Sequence, residues 1–117
     1  MFQSMLMAGL LMFGASESAA DSAAQCRYDK VTAYDTNVHT AYFGLAEMAY
    51  ISVVGDGDTD LDVYVYDPLG NLVAYDTGIT DICFVSWWAT TSGTYRIEVI
   101  NYGSVYNLYQ ICAEASR

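Results

Sequence analysis

Six consecutive residues, Leu61–Tyr66, limit what this chain can fold into more than any other stretch. Leu61, Val63 and Val65 alternate with Asp62, Tyr64 and Tyr66, the two-residue period of a strand with one buried and one wet face. Asp67-Pro68-Leu69-Gly70 follows, with Asp at i, Pro at i+1 and Gly at i+3 of a type I turn. Asn71–Tyr75 then leads back as a second strand. A hairpin cannot bury its apolar face by itself, so the rest of the chain must supply further strands.

It does so at short intervals. Asp29–Asp35 and Val38–Phe43 read as short strands, and Met48–Val54 as a clearer one. After Asp76–Asp81, a loop with more carboxylates, come Ile82–Trp88, a turn at Ala89–Gly93, and Thr94–Asn101 with Tyr95, Ile97 and Val99 on one face. Asn101–Ser104 turns the chain and Val105–Ala113 is expected to pair back on the preceding strand. No helical periodicity appears after residue 25. At 117 residues the chain holds one domain, and 54% hydrophobic content with 11 Tyr is enough for a core of β type. The expected fold is all-β: an antiparallel, jelly-roll-like β-sandwich of seven to eight strands over residues 25–117.

The hairpin is preceded by aspartates at every second position: Asp56, Asp58, Asp60 and Asp62, with Gly55 and Gly57 between them. Carboxylates this close repel unless a cation or donor groups lie among them. The turn at Asp67–Asn71 returns Asp76 beside Asp60 and Asp62. Ca2+ takes ~6–8 oxygen ligands, and the expected set is Asp58, Asp60 and Asp76, joined by Asp56 and Asp62, with Asp81 behind them. The plainer alternative is that such side chains only cap turns in an Asp/Gly-rich loop.

GDGDTDLDVYVYDPLGNLVAYD, then Cys-x-Val-x-Trp at Cys83–Trp87, then GTYRIEVINYGSVYNLY at Gly93–Tyr109 resemble the bacterial pre-peptidase C-terminal domain. The resemblance runs from about Thr40 to Ile111. Its most specific parts are the Asp60–Asp62 strand start and the V-x-N-x-G ending. Ala89 departs from the pattern, since related sequences often carry Pro there. The resemblance implies a small, non-catalytic β-sandwich of the kind appended to secreted peptidases. Collagen-binding modules of some bacterial collagenases are similar, and they imply calcium held by acidic residues.

Residues 1–24 read as a secretory leader. Met5–Phe13 is a short apolar run, followed by small and polar residues with cleavage expected after Ala20 or Ala24. No Lys or Arg precedes the run, and the alternative is a retained apolar helix. The run is well short of the ~20 residues of a membrane span. Gln25 stands before Cys26 where a lipoprotein needs a small residue. Export permits one disulfide among Cys26, Cys83 and Cys112. Cys83, in step with Val85 and Trp87, is expected to be buried and free. Cys26 and Cys112 lie near the two ends of the domain and are the preferred pair; Cys83–Cys112 and a bridge between subunits are the alternatives.

A net charge of −10 opposes nucleic acid and anionic membranes as partners. Without residues 1–24, 12 acids face 4 bases, a balance of −8. A thiol triad of Cys83, His39 and an aspartate is conceivable, but a buried strand cysteine and a surface histidine account for both. No nucleophile-elbow motif occurs, and the acidic pairs share one loop instead of facing across a cleft. The chain reads as a non-enzyme. Tyr64, Tyr66, Phe84 and Trp88 alternate against inward residues, so they are expected to face outward, and Tyr64, Tyr66 and Trp88 are the candidate ligand-binding side chains. The function expected is a secreted or periplasmic, calcium-binding module for an extracellular protein or polysaccharide. The alternative is a self-assembling subunit of a filament or surface layer.

Overall fold

The structure, a computed structural model, describes residues 24–116. The leader expected over residues 1–24 therefore lies outside the described residues, except for its last position. Eight strands follow in order: β1 (Gln25–Val31), β2 (Thr36–Phe43), β3 (Met48–Val54), β4 (Leu61–Tyr66), β5 (Leu72–Asp76), β6 (Ile82–Trp88), β7 (Gly93–Asn101) and β8 (Asn107–Ser116). They form two four-stranded antiparallel sheets, ordered β1-β8-β3-β6 and β2-β7-β4-β5. The β-sandwich expected from the alternation is the fold observed. Only the β4–β5 hairpin stays within a sheet; every other connection carries the chain across to the opposite one.

The core forms where the inward residues of the two sheets meet. Leu61, Val63 and Val65 of β4 and Tyr95, Ile97 and Val99 of β7 face Ala49, Ile51 and Val53 of β3 and Cys83, Val85 and Trp87 of β6. Burying one such aliphatic side chain is worth ~1.5–3 kcal/mol. One end of the core is aromatic: the Phe43 ring meets Trp87 edge-on at 5.3 Å and Tyr95 at 5.6 Å. The hairpin turn forms as its residues dictate. Gly70 N donates to Asp67 O at 2.9 Å, and Asp67 Oδ1 accepts from Leu69 N at 2.9 Å and Asn71 N at 2.8 Å. Gly70 takes φ +90°, which glycine tolerates best, and the register slips by one residue at Val65/Tyr66.

Two features differ from the sequence-based expectation. The first strand runs over Gln25–Val31 instead of Asp29–Asp35, because Thr32–Asp35 closes a turn in which Asp35 N donates to Thr32 O at 3.2 Å. The last strand does not pair back on β7; it crosses to the other sheet and lies between β1 and β3. Buried Asn101 directs that crossing. Its amide nitrogen reaches the carbonyls of Thr32 at 3.2 Å and Val105 at 2.8 Å, and its Oδ1 accepts from Gly103 N at 2.8 Å. A side chain bonded to both flanking segments lifts the chain out of its own sheet.

Cys26 and Cys112 stand directly opposite each other on β1 and β8 and are joined by a disulfide, while Cys83 is free and buried. The preferred pairing is the one formed. It joins residues 86 positions apart and fastens a strand whose only sheet neighbour among the described residues is β8.

Candidate functional site

The acidic loop between β3 and β4 is built on Asp81 and Asn107. Asp81 Oδ2 accepts from Gly57 N at 2.6 Å and from Asn107 Nδ2 at 3.0 Å, and Asp81 O accepts from Gly55 N at 2.9 Å. Asn107 Nδ2 also donates to Thr59 Oγ1 at 3.0 Å. A Cβ on Gly55 would collide with Asp81 Oδ2 and Asn107 Oδ1, so this close approach requires glycine. Asp81, expected as a group behind a metal, is thus the buried brace of the loop. Asn107, buried in the start of β8, escaped the sequence reading; the only hint was a polar residue at an inward position of an alternating strand.

The five expected metal ligands divide into two groups. At the loop tip Asp58 is exposed, while Asp56 Oδ1 accepts from Asp58 N at 3.2 Å and Asp56 Oδ2 from Leu108 N at 2.9 Å. At the start of the hairpin, Asp60 and Asp62 each bury an Oδ1 that has no hydrogen-bond partner. Burial first, then the charges of Asp60 and Asp76, push the Asp62 carboxyl above its ordinary range. Asp76 Oδ1 accepts from Gly78 N at 3.2 Å and Oδ2 from Phe84 N at 3.0 Å. Among the described residues no three His, Cys, Asp or Glu side chains converge as a group that could hold a metal. The fit to Ca2+ is therefore partial. Asp60 and Asp62 offer uncommitted oxygens, whereas Asp56, Asp76 and Asp81 already serve backbone N–H groups.

Cys83 and His39 do not form a catalytic pair. The Cys83 thiol donates to Leu61 O at 3.2 Å, and burial, reinforced by Asp76, Asp62, Asp60 and Asp81, pushes its pKa up to about 12. Such a thiol is inert at neutral pH. His39 is buried at 3% exposure, which corrects the expectation of a surface histidine. Its Nε2 lies 2.6 Å from the Tyr109 hydroxyl and 3.7 Å from Asp29 Oδ2, and Asn37 Nδ2 donates to the same hydroxyl at 3.0 Å. Burial, then the charge of Arg27, lowers the His39 pKa to about 3.

The outward aromatics fall on opposite sides of the sandwich. Tyr64 and Tyr66 lie on the outer face of the β2-β7-β4-β5 sheet, with Tyr75 opposite Tyr64 and the Arg96 guanidinium 4.2 Å from the Tyr66 ring centre. Phe84 and Trp88 lie on the outer face of the other sheet, where Phe84 stacks on Tyr50 at 6.1 Å. One flat ligand cannot touch Tyr64, Tyr66 and Trp88 together.

No protein-family profile matches the sequence, and no curated protein does. Solved structures do. The pre-peptidase C-terminal domain of a Bacillus anthracis collagenase superposes with a TM-score of 0.66 at 18% identity, over 76% of this chain and 87% of that one. The fold is that of a pre-peptidase C-terminal domain. Aeromonas hydrophila PliG, a periplasmic inhibitor of g-type lysozyme, superposes with a TM-score of 0.67 at 14% identity, over 86% and 93% of the two chains. Salmonella Typhimurium PliG gives 0.58 at 14% identity, over 86% and 95%. A collagenase's pre-peptidase C-terminal domain and a lysozyme inhibitor thus both superpose on this fold. No helix among the described residues is long and apolar enough to cross a membrane.

Proposed function

We propose that this protein is a non-catalytic module of the extracellular or periplasmic space that binds another protein. The observation that carries this is the division of labour among its side chains. Cys83, His39, Asp81 and Asn107 are committed inside the sandwich, while Phe84 and Trp88 stand 58% and 61% exposed on a sheet face. Large aromatics held open to water on a rigid sheet are affordable for a binding surface. The disulfide fits an oxidising compartment. The fold shared with an accessory domain and with lysozyme inhibitors supports a binding role over a catalytic one.

The test is titration calorimetry with purified g-type lysozyme and with fibrillar collagen, alongside an assay of lysozyme activity. Saturable binding to either supports the module. Binding to neither, together with turnover of any peptide or glycan substrate by the protein alone, would replace it with an enzyme.

In this reading Ca2+ acts as a stabiliser of the acidic loop, held by Asp60 and Asp62 with Asp58, Asp76 and Asp56 nearby. Sites of extracellular type bind at ~10⁻⁴–10⁻³ M. A ligand at a hundredfold excess over Kd stabilises by about 2.7 kcal/mol. Millimolar Ca2+ at constant ionic strength should therefore raise the melting temperature, and Asp60→Asn should reduce the rise. A melt indifferent to Ca2+ would leave the loop to Asp81 and Asn107 alone.

A further inference from the structure

We infer that the outer face of β3 and β6, carrying Val54, Tyr50, Ile82, Phe84 and Trp88, docks a cationic protein surface. The inference rests on the protein-binding reading above and adds the place and the chemistry of the partner.

The strand register assembles the patch. Met48, Tyr50, Ser52 and Val54 of β3 lie directly opposite Trp88, Ser86, Phe84 and Ile82 of β6. Each strand thus carries one serine among bulky side chains, Ser52 opposite Phe84 and Ser86 opposite Tyr50. Ile82, Phe84 and Trp88 are exposed, Val54 is exposed beside them, and Tyr50 lies half-buried under Phe84. A partner's apolar side chains can pack against the rings and the small serines beside them. Among the described residues β6 is the edge strand of its sheet, with β3 on one side and the Asp76 carboxylate on Phe84 N at the other.

Charge selects the occupant. Glu114 pairs in register with Tyr50, Asp76 sits on the β6 edge with its carboxylate on Phe84 N, and Asp56 follows two residues after Val54. The only Lys or Arg among the described residues on this outer face is Lys30. It lies on β1, separated from β3 by β8, and is drawn to the Tyr106 ring at 5.4 Å. An apolar centre with an acidic rim complements an apolar spot ringed by Lys and Arg. It does not complement itself. Residues 24–116 hold 12 acids and 3 Lys or Arg, so two copies joined here would press like-charged rims together.

The test measures the full chain against two probes, g-type lysozyme and a short amphipathic Leu/Lys peptide that is cationic by composition. Phe84→Thr with Trp88→Thr removes the patch while keeping good strand formers. Tyr42→Thr with Tyr75→Thr is the control on the opposite face. The patch variant should bind a probe about tenfold or more weakly, and the control should bind as wild type. Glu114→Lys, which leaves the apolar patch and the core untouched, should weaken binding severalfold, and added salt should weaken wild-type binding. Peptide binding that depends on the patch, without lysozyme binding, upholds the face and removes lysozyme as its partner. Lysozyme binding that ignores both the patch and Glu114 upholds the binding module and overturns this face. Binding of neither probe overturns it too. So does a wild-type dimer in sedimentation that the patch variant dissolves, since the occupant would then be a second copy.

Discussion

An imidazole packed against a phenol inside a sandwich has little room for a second proton. In an unfolded chain histidine titrates near 6.5; here His39 does so at about 3. Between those values the unfolded state binds more protons than the folded one, so stability falls as the pH falls. The contribution from keeping His39 neutral is complete above about pH 6.5 and disappears as the solution approaches pH 3. At ~1.4 kcal/mol per unit, several kcal/mol is the upper bound. Urea unfolding from about pH 7 to about pH 4 should show this loss in wild type and a flatter profile in His39→Gln. An unchanged profile would assign the acid sensitivity to carboxylates instead. Asp62 works in the opposite sense. Its raised folded pKa means that its neutral form is favoured in the fold, a benefit present at low pH and lost as the pH rises through the folded value. Without metal, Asp62→Asn should raise the melting temperature at neutral pH. The same variant should lose most of any response to Ca2+. These residue-scale features were the least legible in the sequence. In β2 an exposed Val38 and a buried His39 invert what hydrophobicity alone predicts, because the Tyr109 hydroxyl supplies the polar partner that makes burial tolerable.

At the scale of single strands, period-2 alternation was readable wherever both faces of a strand differ. β3, β4 and β6 have the bounds or the facing that the alternation indicates, and the turn at Asp67–Gly70 forms on the residues that demand it. What alternation does not carry is the identity of the neighbour. β8 was recognisable as a strand, but its place between β1 and β3 depends on Asn101 and Asn107, whose side chains bond to segments remote in sequence. The metal set was half legible for the same reason. The turn does bring Asp76 near Asp62, but its two oxygens are already spent on Gly78 N and Phe84 N. Neighbouring tryptophans on β6 make the clearest test of facing. Trp87 is 7% exposed and packs on Phe43 and Tyr95, whereas Trp88 is 61% exposed. Trp87→Ala should cost about 3–5 kcal/mol in chemical denaturation, and Trp88→Ala should stay within about 0.5 kcal/mol. Iodide should quench only the Trp88 component of the fluorescence. Equal costs for the two substitutions would mean that the strand is rotated.

For the molecule as a whole, the Cys26–Cys112 bond closes the widest loop available to the domain. In the chain-entropy view a loop of this size contributes ~4–5 kcal/mol by restricting the unfolded ensemble. Reduction, or Cys26→Ser with Cys112→Ser, should lower the melting temperature by well over ten degrees, since ~1 kcal/mol corresponds to about 4–8 °C at this size. The variant's β-type circular dichroism should persist at low temperature. A melting point indifferent to reductant would show that β1 is held by its hydrogen bonds to β8, Asn37 and Asn101 and by buried Val31 without the disulfide.

Among the described residues β1 pairs with β8 alone, so the first of the described strands waits for the last. A chain that ends just before Asn107 has β3 and β6 but lacks the inner strand of their sheet, and leaves β1 without its partner. Pairings so distant along the chain form slowly, because loop-closure entropy must be met before the contacts repay it. All four strands of the β2-β7-β4-β5 sheet precede β8 in the chain, so the sheet that carries the disulfide is the later of the two to be completed. Cys26 and Cys112 reach their facing positions only when β8 has been made and has settled against β1.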